Sequence, residues 1–98
     1  MSEHANVTVE DNPDESRYEA VAESGLVAGF AAYEKKEGLL AFTHTEVDDA
    51  FEGQGVGSSL VRGSLDHART TGLRVRPLCP FIKGYIDKHP EYQDLLNA

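Results

Sequence analysis

The sequence predicts an α+β fold, a central and mostly antiparallel sheet of about five strands with two to three helices. Three observations carry this. Four apolar or alternating segments follow one another before residue 48, and the turn clusters between them are too short for crossover connections. A run of closely spaced glycines then leads into a stretch whose apolar residues recur at helical spacing. A second such stretch opens at Pro80.

Each element has its own signals. Val7-Thr8-Val9-Glu10 reads as a short strand, ended by the turn cluster Asp11-Asn12-Pro13-Asp14. Arg17 to Glu23 alternates polar and apolar residues, and Ser24-Gly25 reverses the chain. Leu26 to Glu34 is a longer apolar strand, followed by the turn Lys35-Lys36-Glu37-Gly38. Leu39 to Val47 makes the fourth strand, rich in aromatic and β-branched residues. Leu60, Val61, Ser64, Leu65 and Ala68 then lie on one face of a helix that Gly72 stops. Leu73 to Arg76 is the fifth strand, parallel to the fourth because a helix crosses over between them. Pro80 to Lys88 gives the second helix, with Phe81, Ile82, Tyr85 and Ile86 on one face. Pro90 ends it and opens a last short helix through Leu96.

Composition bounds the function. Ninety-eight residues, 40% hydrophobic, suffice for one core, so a single domain over residues 1–98 is expected. A net charge of −8 argues against a nucleic-acid binder, which would carry a basic stripe. The same charge suits a halophilic, acidic protein and equally an ordinary acidic one. One cysteine excludes an internal disulfide, and the start Met1-Ser2-Glu3-His4-Ala5-Asn6 lacks the basic and apolar regions of a signal peptide. No apolar run approaches a membrane span, so a cytoplasmic protein, monomer or weak dimer, is the expectation. His4, His67 and His89 form no ligand pair at i, i+2 or i, i+4, and no metal is expected.

The most informative segment is Phe51-Glu52-Gly53-Gln54-Gly55-Val56-Gly57-Ser58-Ser59-Leu60. Glycines at alternating positions let the backbone take positive φ and approach a ligand closely. The helix that follows begins with unpaired amides and a positive dipole end, which favour an anion such as pyrophosphate. A simple glycine-rich turn is the plainer reading. No lysine follows as a P-loop requires, and neither register of Gly53 or Gly55 fits the G-x-G-x-x-G dinucleotide fingerprint.

The segment resembles the pyrophosphate loop of the GNAT superfamily of acetyltransferases, [RQ]-x-x-G-x-[GA], with Gly55 and Gly57 as its small residues. Glu52 stands where that superfamily usually has Arg or Gln. A second block, Arg76-Pro77-Leu78-Cys79-Pro80-Phe81 through His89-Pro90-Glu91-Tyr92, is similar to a small single-domain branch of the superfamily. In that branch an F-E-G-Q-G-[IV]-G loop precedes P-L-C-P-[FY] and H-P-E-[YF], so Glu52 belongs to the branch pattern. The resemblance implies a minimal GNAT-like fold and an acetyl-CoA cofactor. It places pyrophosphate on the amides of Gly53, Gln54, Gly55, Val56, Gly57 and Ser58. It also places pantetheine between the fourth and fifth strands, against backbone near Val47.

Catalytic candidates follow. Cys79 precedes Pro80 at a helix start, where a thiolate is stabilised; a buried cysteine that only fills space is the other reading. The resemblance makes Cys79 the active-site thiol or acyl acceptor. His44 is its candidate companion, a base for the thiol or for an incoming amine, or else a solvated histidine. Glu46 shares a strand face with His44 under the period-two rule and matches a glutamate that often serves the superfamily as base. Tyr85 resembles the tyrosine that protonates the leaving thiolate, although its spacing also suits the core. Lys83 is a candidate for a coenzyme phosphate. Direct attack by an amine and transfer through an acetyl-Cys79 intermediate both stay open. So do a non-catalytic coenzyme A or partner-binding module and a purely structural domain.

Overall fold

The computed structural model describes residues 6–96; His4 and the rest of the first five residues lie outside them. Five strands form one sheet in the order of the chain: β1 (Val7–Asn12), β2 (Arg17–Ala22), β3 (Val27–Lys36), β4 (Leu39–Val47) and β5 (Arg74–Pro77). The first four are antiparallel, and β5 runs parallel to β4. Between β4 and β5 lies helix α1 (Val56–Thr70); helix α2 (Pro80–Lys88) and a 3-10 segment (Pro90–Leu96) end the described chain. The predicted α+β architecture and the bounds of β4 and α2 are those observed. A 3-10 turn at Asp49–Phe51, capped by the Asp48 carboxylate, was not anticipated.

Local chemistry explains the punctuation. Gly72 takes a positive φ just past α1. Its N–H donates to Arg69 O, and that of Leu73 to Ala68 O, which satisfies the last carbonyls in a Schellman motif. Pro80 opens α2 at a position where a missing N–H costs nothing.

The helices cover one face of the sheet. On that inner face Tyr18, Tyr33 and Phe42 make a tilted aromatic cluster against Leu60, Val61 and Leu65 of α1. Tyr18 hydroxyl meets His67 Nδ1 at 2.8 Å, and Tyr92 donates to Asp66 at 2.7 Å, so buried hydroxyls keep partners. Arg69 clamps the terminal 3-10 segment to α1 with a bidentate grip on Asp94 and a bond to Glu91 O. Within α2 the expected apolar face divides: Ile82 and Ile86 are fully buried, whereas Phe81 is 48% exposed. No helix among the described residues is long and apolar enough to cross a membrane.

Candidate functional site

Strand β4 opens the site. Its first half, Leu39 to Phe42, pairs with β5 residue by residue as far as Pro77. There Pro77 cannot donate to the ladder, and the chain leaves the sheet to start α2. The Cys79 N–H returns one last bond to Phe42 O, 2.9 Å. Beyond it, residues 43–47 of β4 keep only β3 as a strand neighbour, so a fork opens between β4 and β5.

A bulge sets which side chains face which way at that fork. Opposite β3, Ala32 pairs with His44 but Tyr33 pairs with Phe42, so Thr43 is the extra residue. The bulge reverses the alternation: Phe42 points inward, and after it Thr45 and Val47 point inward while His44 and Glu46 point outward. Thr45 Oγ1 lies 3.3 Å from Cys79 Sγ, on the helix side. His44 Nε2 lies 2.7 Å from Glu46 Oε2 on the opposite, exposed face. His44 and Glu46 are thus brought together, as period two predicts, and Cys79 is not brought to either. Cys79 itself is buried, 4% exposed, at the N-cap of α2.

The glycine loop lies beside the fork. Gly53 and Gly55 have φ of 81° and 79°, the left-handed region a side chain would strain. Gly55 caps α1 without a side-chain bond. The Ser59 N–H is the first to close a turn, onto Gly55 O, and the amides of Val56, Gly57 and Ser58 have no acceptor among the described residues. Three free donors at a helix start are an arrangement that favours an anion. Gly57 packs closely for a different reason. A Cβ there would meet the Phe81 ring at 2.9 Å, with Val47 at an ordinary 3.7 Å, so a larger residue must push the half-exposed Phe81 ring aside.

From the loop a groove of about 550 Å³ runs between α1 and α2, lined by Ser58, Arg62, Phe81, Tyr85 and Lys88 among others. Tyr85 stacks on His89 at 3.9 Å, and burial, the larger effect, raises its pKa although Arg62 opposes this. Lys83 is elsewhere. It lies in a second hollow with Arg74 and Arg76 by β5 and pairs with Asp87 at 3.4 Å. The cations that line the loop's own groove are Arg62 and Lys88, which the sequence reading missed. The signal was there: Arg62 is one turn beyond Ser58, and Lys88 is seven residues beyond Phe81.

Comparison with known proteins agrees with this geometry. The solution structure of a GCN5-like protein from Staphylococcus aureus superposes with a TM-score of 0.68, at 27% identity, over 97% of this chain and 89% of that one. Protein NATD1 of Homo sapiens is 34% identical over 52 residues, 53% of this chain and 46% of its own length. Protein NATD1 of Xenopus tropicalis is 34% identical over 47 residues, 48% of this chain and 43% of its own. The alignments thus span about half the length of these curated relatives. The family model described as GCN5-related N-acetyl-transferase matches residues 17–95, most of the chain. With the strand fork, the glycine loop and this match together, the chain belongs to the GCN5-related N-acetyltransferase family.

Proposed function

We propose that this chain, acting as one domain, binds acetyl-CoA and transfers its acetyl group to an amine. The observation that carries the reading is the fork between β4 and β5 opening beside the three unpaired amides of α1. Pyrophosphate would take the Val56, Gly57 and Ser58 N–H groups, with Arg62 and Lys88 in the adjoining groove adding local positive charge to an acidic chain. The pantetheine arm would run into the fork along the unpaired edge of β4 towards Val47, which brings the thioester through the sheet to its open face.

On that face His44 Nε2–H donates to Glu46, which leaves Nδ1 as the acceptor for a proton. The amine nitrogen attacks the thioester carbonyl, the C–N bond forms and the C–S bond breaks. His44 takes the amine proton, and the departing thiolate is protonated from solvent. The burial of Cys79 and its bond to Thr45 favour this direct attack over an acetyl-cysteine route. The openness of the outer face supports a second reading, a coenzyme-binding module without turnover.

Calorimetric titration with acetyl-CoA, with free coenzyme A as control, tests the reading. Saturable binding that is lost in Gly55→Val is expected. Absence of binding by the unaltered protein would reduce the loop to a structural turn and remove both readings.

A further inference from the structure

The outer face of the sheet carries a second constellation next to the His44–Glu46 pair. Arg17 of β2 pairs with Ala32 of β3, and Ala32 pairs with His44 of β4, so the three form one row across the sheet. In the next row Glu19, Phe30 and Glu46 stand in the same order. Arg17 and His44 therefore flank a single small residue, with Cα atoms two strand spacings apart, roughly 10 Å. Ala32, between them, has no more than a methyl side chain and Phe30 stands in the next row, so the row is lowest, a notch, at Ala32.

Arg17 is held in place by two contacts that leave its terminal nitrogens unused. Its Nε donates to Glu19 Oε2 at 2.8 Å, and its guanidinium lies 4.6 Å over the Phe30 ring. The same Glu19 oxygen also accepts from Asn12 Nδ2 at 3.1 Å, which fixes the carboxylate that holds Arg17. The two terminal nitrogens of Arg17 have no acceptor among the described residues. A planar fork fixed through its third nitrogen and its π face is the arrangement that grips a carboxylate in a bidentate manner. Phe30 lies 6.1 Å from the His44 ring on its other side, so one aromatic residue orders both ends of the notch. One end of the notch thus offers guanidinium N–H donors whose charge Glu19 balances, and the other the Glu46 carboxylate.

We propose that this notch is the acceptor site and that its substrate is a small primary amine carrying a carboxylate, an amino acid in the broad sense. The carboxylate binds the Arg17 terminal nitrogens, and the ammonium group lies against Glu46 and His44, where its first proton passes through His44 to solvent before the free amine attacks. Arg17 is then the specificity-determining residue. This inference rests on the acetyltransferase reading for the chemistry but not for the binding.

The test uses glycine, β-alanine and γ-aminobutyrate, each beside its carboxamide. First, the His44 imidazole NMR signals are followed as each compound is added without coenzyme. At least one acid should shift them with an affinity about tenfold above that of its amide. Arg17→Gln should abolish that difference and leave weak amide binding unchanged. Ala32→Val keeps Arg17 and suits a strand while filling the notch; it should lose acid binding without altering acetyl-CoA affinity, which excludes misfolding as the cause. Equal shifts by acids and amides in the unaltered protein, or no shifts at all, would overturn the proposal. Second, with acetyl-CoA present, kcat/KM should show the same preference and the same dependence on Arg17. If acetyl-CoA fails to bind while the acid preference persists, the transferase reading falls and the carboxylate site stands. If acetyl-CoA binds and acids and amides react alike, the site falls and the transferase reading stands.

Discussion

The two halves of β4, apolar Leu39 to Phe42 and mostly polar Thr43 to Val47, do opposite work. Leu40, Ala41 and Phe42 are closed in by β5 on one edge and β3 on the other, and each is at most 9% exposed. His44 and Glu46 are well over half exposed on a stretch with β3 alone beside it. Two local events separate the halves: Pro77 ends the β5 ladder opposite Phe42, and Thr43 bulges one residue later. One strand thus serves as core at its start and as site at its end. The lesson is that a parallel ladder that stops early supplies an opening with free backbone groups, and a bulge decides which side chains border it.

Breaking the boundary itself should have the largest effect. Insertion of an alanine between Ala32 and Tyr33 of β3 would give Thr43 a partner and restore simple alternation, turning His44 and Glu46 inward and Thr45 and Val47 outward. Burial of that pair should cost on the order of 4 kcal/mol or abolish cooperative folding, as read by thermal denaturation. Near-normal stability would show that the bulge is not what sets the facing. Within the closed half, Phe42→Ala removes a fully buried ring and should cost about 3–5 kcal/mol by denaturant titration. His44→Ala in the open half should change stability by less than about 0.5 kcal/mol and yet remove most acetyl transfer.

The loop beside the open half gives an intermediate case. Gly55→Val forces a β-branched residue into positive φ and should cost about 1–2 kcal/mol together with acetyl-CoA binding. Cys79→Ala should cost only about 1 kcal/mol, with transfer retained; loss of transfer in a folded variant would restore the acetyl-cysteine route.

A pH dependence sharpens the same contrast from the side of the core. Tyr18 and Tyr33, which pack on Phe42, and Tyr92 all have pKa values raised well above the ordinary tyrosine range. Burial is the main cause, with Asp11 reinforcing it at Tyr18 and Tyr33 and Asp66 at Tyr92. Because the folded values lie above the unfolded one, their contribution is complete below about pH 10 and is lost as pH rises through the folded values. Stability should therefore fall in strong alkali, with tyrosine ionisation appearing only as the protein unfolds. A native baseline in which these tyrosines titrate near pH 10 would contradict it.

Much of this was legible in the sequence. Strong β-formers between turn clusters marked β4, and Pro80 with Pro90 bracketed α2, because these signals act within a few residues. The common face of His44 and Glu46 followed from period two. The separation of His44 from Cys79 was hidden, since a bulge at Thr43 leaves no mark in Leu-Leu-Ala-Phe-Thr-His-Thr-Glu-Val and depends on pairing with β3. The place of Lys83 in the hollow beside β5 was hidden, because which side of α2 faces α1 is decided by Ile82 and Ile86 seeking the core. Arg17 carried no signal at all: its row with Ala32 and His44 exists only once three strands are in register.

The central claim is that the open half of β4 and the amides of α1 receive the coenzyme while the closed half does not. Backbone amide NMR during an acetyl-CoA titration tests it directly. The amides of Val56, Gly57 and Ser58 and those of residues 43–47 should shift together and saturate at one affinity, with Leu40 and Phe42 little changed. Saturable binding that leaves Val56–Ser58 unmoved, or that shifts only groups remote from the fork, would contradict the account.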